Sequence, residues 1–516
     1  MKRAISVLLT GLLLTGCSTV PAETAAPTIE TAAIPTVQSK EILPAPDYVS
    51  RFGSVTEIRL SDDGMLFADS DAIALTNDII YYEDKEAYES GNPYGEGEAA
   101  DQHSVEEAAK HIVVNITKPG AYRVSGKLSA GQIRVNLGKD ACKDPTAVVE
   151  LILDNVDITC TVAPAILFLN TYECDGNWST ETAQPEVDTA AAGANLILEG
   201  SNRVSGSHVA KIFKDTDGEK KLWKQDGAIY SYQSLNVFGP GSLELTADNE
   251  GLDTELHLTI NGGNLHIYSG NDGINTNEDG VSVTTINGGN LTIFAGLGAE
   301  GDGIDSNGYL VINGGSVVSA ANPAADAGLD SDLGSYIHGG TVIAMGSTMD
   351  WAESDSEQVT MNLQFAGQQE AGSKITIRDP GSSEYITFET DGEHARPFSG
   401  LILSHPGFVQ GATYHVYVDD VQMAFTGTDV GRGSHGGMGQ PPEMPEGMKF
   451  PQGERPEPPE NFDPGKIGER GQKPGNWEDR QPPGGFDGTM PNSGENRTDF
   501  YMNDKVNAFS SVTAAK

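Results

Sequence analysis

The sequence predicts an all-β repeat protein in which each repeat forms one coil of a parallel β-helix, and three observations carry that expectation. From Ile112 onward short β-rich runs follow one another, HIVVNI, YRVSG, QIRVNL, AVVELILDNVDIT, AILFLN and NLILEGS, each bounded by Gly, Pro, Asn or Asp and without helical periodicity. Between Asp226 and about Met349 two phrases alternate. One is acidic-Gly-aliphatic, as in Glu250-Gly251-Leu252-Asp253, Asp272-Gly273-Ile274-Asn275 and Asp302-Gly303-Ile304-Asp305; the other is INGGNLHIYSG, INGGNLTIFAG, INGGSVVSAAN and IHGGTVIAMGS. The unit length stays in the twenties, with one longer copy between Gly273 and Gly303. A propeller blade needs about 40 residues, and a leucine-rich repeat needs a Leu and Asn spacing that is missing, so a stacked coil is the economical solution.

In chain order, Lys2 and Arg3 followed by the apolar run Ile5–Leu14 read as an export signal too short to span a membrane. It ends in Leu14-Thr15-Gly16-Cys17, so residues 1–16 are expected to be removed and Cys17 lipidated. The protein would then be anchored to the extracellular face of the cell membrane by lipid alone. Residues 17–46 are Ala-, Thr- and Pro-rich and form a tether, because they lack the apolar surface to offset ordering entropy. A helix is expected at Ser104–His111, with Ser104 as cap and Glu107 closing a capping box. The repeat domain spans 47–355, and residues 356–430 alternate like antiparallel strands and form a small β cap over the open end. Residues 431–498 are Gly-, Pro- and Met-rich and expected to be disordered, while 499–516 regain alternation and are expected to dock as an edge strand.

Within a coil, strand alternation places Leu265, Leu291, Val317 and Val342 in one inward stack and Ile267 and Ile293 in another. Gly262-Gly263 and its copies suit a tight corner needing positive φ, and Asn261, Asn287 and Asn313 are placed to hydrogen-bond along the axis. If Leu252, Ile274, Ile304 and Leu329 point inward, Asp253, Asn275, Asp305 and Asp330 point outward, about 4.8 Å apart between coils. Two unit charges at that spacing repel by about 1 kcal/mol in water and about 3.5 kcal/mol at an effective dielectric of 20. No Lys or Arg occurs between Lys224 and Lys374, so a salt bridge inside the repeat zone cannot compensate.

A hard divalent cation can, and Ca²⁺ takes six to eight oxygens from carboxylates, Asn amides and backbone carbonyls. The candidate ligands are Asp226, Glu250, Asp253, Asp272, Asn275, Asn277, Asp279, Asp302, Asp305, Asp326, Asp330 and Asp332. Asn275 to Gly280 has the N-x-N-x-D-G opening of a calcium loop but no closing Glu, and the bland reading of all these acids is solvated surface. Tyr268 and Phe294 at aligned positions, with Tyr309, Tyr336 and Trp351 nearby, offer faces to sugar rings; lateral packing explains them equally well.

A formal charge of -42 argues against a nucleic-acid partner, which needs clustered Lys and Arg, and makes cations the likelier small ligands. Cys142, Cys160 and Cys174 have no zinc spacing and allow at most one disulfide or simple buried thiols.

LILDNVDIT, QDGAIYS, the acidic-Gly-aliphatic phrases and the INGG corners, taken with LTGC, resemble a bacterial cell-surface family of carbohydrate-binding β-helix proteins, over roughly residues 50 to 425. The resemblance implies a calcium-bearing right-handed parallel β-helix similar in fold to pectate lyases. It implies binding of acidic plant polysaccharide such as polygalacturonate or pectin, with cellulose as a further ligand, and no cleavage. Ala327 stands where the acid before Gly328 would be, which weakens that coil. A monomer is expected. A calcium-dependent pectate lyase is the leading alternative and would need a base such as Arg123, Arg134, Arg203 or Lys211. A structural adhesin or spacer is the second.

Overall fold

Alternating apolar and polar residues between Gly corners produce strands here throughout. The computed structural model describes residues 48–62, 71–83, 99–176, 178–212, 223–347, 350–381, 384–389, 395–430 and 496–515. The signal segment, Cys17, the tether and nearly all of 431–498 lie outside them. The described residues are almost all β, in a 24-stranded sheet, a nine-stranded sheet and a two-stranded ribbon. The one α-helix among them, Val105–Ala108, is shorter than its sequence pattern. Ser104 Oγ accepts the Glu107 N–H as a cap, but the Glu107 carboxylate turns instead to Thr161 and His103, so the box is half made.

Each repeat contributes three short strands, for example Glu250–Thr254, Leu258–Ile260 and Asn264–Ser269. Each pairs in parallel with its counterpart in the next repeat: Leu252 with Ile274, Ile260 with Ile286, Leu265 with Leu291. The stack Leu265, Leu291, Val317, Val342 forms in register and is buried, as is the pair Ile267 and Ile293. Because side chains alternate with period two, a one-residue slip would turn these stacks outward, so the apolar columns lock the register.

The second glycine of each corner carries the positive φ: 98° at Gly263, 93° at Gly289, 80° at Gly315 and 85° at Gly340. The first gives clearance, since a Cβ at Gly262 would lie 3.0 Å from the Gly239 carbonyl oxygen. The Asn ladder forms beside them, Asn313 Nδ2 donating to Asn287 Oδ1 and Asn287 Nδ2 to Asn261 Oδ1, both at 2.9 Å. Asn313 is its exposed end. Asn313→Ala should therefore cost only a few tenths of a kcal/mol, whereas Asn287→Ala, which breaks both rungs, should cost about 1–2 kcal/mol in urea unfolding.

The repeat strands end on an antiparallel partner. Thr341–Gly346 pairs with Phe398–Ser404, so its outer edge is hydrogen-bonded rather than open. Val506–Ala514 is not an edge strand as its sequence suggests. It lies between Thr360–Gln369, in parallel, and Gly427–Val430, antiparallel. Phe509 there packs on Phe425 and Phe500, with ring centroids 4.8 and 5.0 Å away. Truncating this ring should be severe: Phe509→Ala is expected to cost about 3–5 kcal/mol, read as a lowered urea midpoint.

Candidate functional site

Two columns of acidic and amide side chains run along the nine-stranded sheet. Strand pairing stacks Asp253, Asn275, Asp305 and Asp330 in register, as the repeat phrase requires. The acids preceding the glycines form the second column, linked through backbone donors: the Asp302 N–H donates to Asp272 Oδ1 at 2.7 Å and the Ala327 N–H to Asp302 Oδ1 at 2.6 Å. Ala327 thus ends the column with a main-chain donor. Asp226 sits one residue off the pattern, because Ile229 rather than Ala228 pairs with Leu252.

The columns are graded in burial, which corrects the expectation of a uniformly outward row. Asp226, Glu250, Asp253, Asp272, Asn275 and Asn277 are buried; Asp302, Asp305, Asp326 and Asp330 are half-buried; Asp279 and Asp332 are exposed. At the buried end, carboxylate oxygens of Asp226, Glu250 and Asp253 lie within 4.8 Å of one another. Asn275 Nδ2 donates to Glu250 Oε1 at 3.0 Å and Asn277 Nδ2 donates to Asp253 Oδ1. Asp253 Oδ2 and Asn275 Oδ1 are buried without a hydrogen-bond partner, and leaving such oxygens unsatisfied costs about 1–3 kcal/mol each.

Lys224 also corrects the sequence reading. Its Nζ lies 2.5 Å from Asp226 Oδ2 and 3.8 Å from Glu250 Oε1, so a salt bridge does reach the first acids of the zone. Its neighbouring position, just before QDG, was the signal. Asp350 is a further acid that the repeat phrases do not mark: burial and the charge of Asp330 push its carboxyl up to about 8, and it accepts the Ser331 N–H. Its signal is weak, since STMDWAES breaks the repeat phrase.

Burial, then neighbouring carboxylates, raises the rest. Asp302 is pushed up to about 9 by burial and by Asp330 and Asp305. Asp272 is held well above the carboxylate range by burial and by Asp305 and Glu250, and Asp253 by burial and Glu250. Asp226 is raised by burial and Glu250, against the lowering effect of Lys224. These groups cannot all ionise together without added positive charge.

The calcium-loop spacing does not gather its residues. Asn275 and Asn277 join the columns, but Asp279 stands outside with Asn307, whose Nδ2 donates to Asp279 Oδ1 at 3.0 Å. The Asp326 carboxylate accepts the Gly301 N–H at 2.9 Å.

The aromatic residues do not form one platform. Phe294 is buried in the second hydrophobic core, against residues such as Ile343 and Met345 and the C-terminal strands, and Tyr268 stacks on it at 5.9 Å and 9°. Both rings thus pack laterally against that core. Tyr309 and Tyr336 lie 6.2 Å apart on the neighbouring strand set, half-buried like Trp351. Cys142, Cys160 and Cys174 are free, and burial pushes the thiols of Cys160 and Cys174 up to about 12, which favours the thiol over the thiolate at both.

Fold and site together define an all-β repeat protein carrying an oxygen-lined acidic seam along one sheet. The chain belongs to the family of carbohydrate-binding domain-containing proteins, whose description matches residues 110–395. A carbohydrate-binding domain-containing protein of Acetivibrio thermocellus is 30% identical over 155 residues, covering 30% of this chain and 44% of that protein; the chain thus spans less than half of this relative. A solved structure of a polysaccharide lyase-like protein from C. thermocellum, a gadolinium derivative, is 22% identical with a TM-score of 0.33, over 56% of this chain and 93% of the other.

Proposed function

We propose that this protein is a non-catalytic cell-surface lipoprotein that binds acidic plant polysaccharide, polygalacturonate or pectin, through Ca²⁺ held in the acidic seam. The observation that carries the reading is the pair of partnerless buried oxygens, Asp253 Oδ2 and Asn275 Oδ1, inside a cluster of carboxylates. An all-oxygen donor set of this kind fits a hard cation. The in-register parallel pairing of the repeat strands supports a right-handed β-helix as their winding, the hand that parallel crossovers adopt almost without exception. The LTGC string supports Cys17 as the residue that would carry the lipid anchor.

The gradient of burial divides the labour. Asp226, Glu250, Asp253 and Asn275 would hold a structural ion out of reach of polymer, while Asp302, Asp305 and Asp330 would hold one with positions open to a uronate carboxylate. Calcium supplies the positive charge that lets two anionic partners meet. The protein's own residues fix the oxygens through the backbone donors of Asp302 and Ala327.

Catalysis by β-elimination would need a basic side chain at the sugar. Of the candidate bases, Arg123 is paired with Glu199 and Asp154, Arg134 with Asp78 and Arg203 with Glu244, away from the seam, while the Lys211 side chain lies outside the described residues. A glycan array read with calcium and with chelator tests the proposal; release of unsaturated uronides absorbing in the ultraviolet would replace it with a lyase, and failure to bind any glycan with a spacer.

A further inference from the structure

One corner beyond the acidic seam, Cys174, Asp175, Trp178 and side chains of the 182–188 stretch border a cleft of about 260 Å³ together with His257 and Val281. That is below the roughly 300–1,000 Å³ of sites for drug-sized ligands and on the scale of a single sugar unit. Trp178 supplies an aromatic wall, and Asp175, Gln184, Glu186 and Asp188 supply polar groups around it. One of these acids is fixed from below. The Val283 N–H donates to His257 Nδ1 at 3.1 Å, which leaves the ring proton on Nε2, and Nε2 faces Asp175 Oδ2 at 3.3 Å. His257 is 1% exposed, so a buried imidazole orients the carboxylate that borders the cleft.

We propose that this cleft is a second sugar site, which takes a neutral hexopyranose unit with its apolar face on Trp178 and its hydroxyls donating to Asp175, Glu186 and Asp188. The residues lining it include no Lys or Arg, so a uronate carboxylate is repelled, whereas hydroxyls find carboxylate acceptors, the stronger kind of hydrogen bond. Aromatic ring plus convergent polar groups is the composition of a site that orients a small amphipathic ligand. The inference rests on carbohydrate binding, which the family has, and on neither calcium nor the acidic glycan.

The test is a calorimetric titration of the full chain with cellotetraose, mannotetraose and β-1,4-galactotetraose, with chitosan tetramer as a cationic comparator. At least one neutral tetramer should bind with a Kd of about 1 mM or tighter, and Trp178→Ala should weaken it about tenfold or more. Should that variant fail to fold, Gln184→Ala with Glu186→Gln takes its place, because both positions are exposed: a weakened Kd supports the site, and a wild-type Kd overturns it. No binding of any neutral tetramer, binding of the cationic tetramer alone, or wild-type affinity in a folded Trp178→Ala protein also overturns it. Neutral probes have no carboxylate for a cation to bridge, so this result and the fate of the polygalacturonate reading are measured independently.

Discussion

Moving the protein from millimolar calcium into chelator is expected to lower its melting temperature by several degrees. At the buried end of the seam, Asp226, Glu250 and Asp253 crowd within 4.8 Å with Lys224 brought against the first two, and Asp253 Oδ2 has no hydrogen-bond partner. An ion bound by the native state alone stabilises it by mass action, about 2.7 kcal/mol when calcium is a hundredfold above its dissociation constant. At roughly 2–4 °C per kcal/mol for a domain of 150–250 residues, that becomes a shift of about 5–10 °C, somewhat less for a longer chain. Scanning calorimetry in calcium and in chelator, with metal content measured on the same samples, reads it directly. Superimposable melts with no bound ion would remove the basis for a cation in the seam.

The second large effect is on binding. Asp302→Ala combined with Asp305→Ala should abolish calcium-dependent retention in a polygalacturonate gel, a loss of tenfold or more that corresponds to at least about 1.4 kcal/mol. Both acids are half-buried, at the end of the seam where an ion can keep positions open. Their removal should spare the fold, because Ile304 and the apolar columns are untouched and mutually repelling carboxylates are taken away. The cost is the Ala327 N–H, which loses its acceptor on Asp302. Far-ultraviolet circular dichroism should therefore stay β-rich. A folded double variant retained like wild type, or wild-type retention that persists in chelator, would reduce these acids to solvated surface.

The contrast between the Asp columns and the aromatic residues marks where sequence stops informing. Tyr268 and Phe294 align one repeat apart, and the pairing of their strands is as the repeat demands. Yet Phe294 is buried, because residues far along the chain, among them Phe398 and Phe509, build a second core over that face. The C-terminal strand was legible as a strand, but its interior position needed Thr360–Gln369 and Gly427–Val430 to be seen on either side. The Trp178 cleft left no trace in the repeat pattern, since its wall comes from an irregular excursion that repeats nothing.

What the sequence by itself determined is register: the repeated phrases place Leu265 on Leu291, Asn261 beside Asn287, and Asp253 over Asn275 and Asp305. A side-chain period of two forbids a one-residue slip, which would turn the apolar columns outward, and the repeated phrases set which residue meets which. What only the tertiary structure decided is the environment of those columns: that Asp253 is buried while Asp332 is exposed, and that Lys224 reaches Asp226 and Glu250. Register follows from local periodicity, whereas burial and charge pairing depend on which distant segments come to lie on the sheet, and a pattern along one chain does not contain that information.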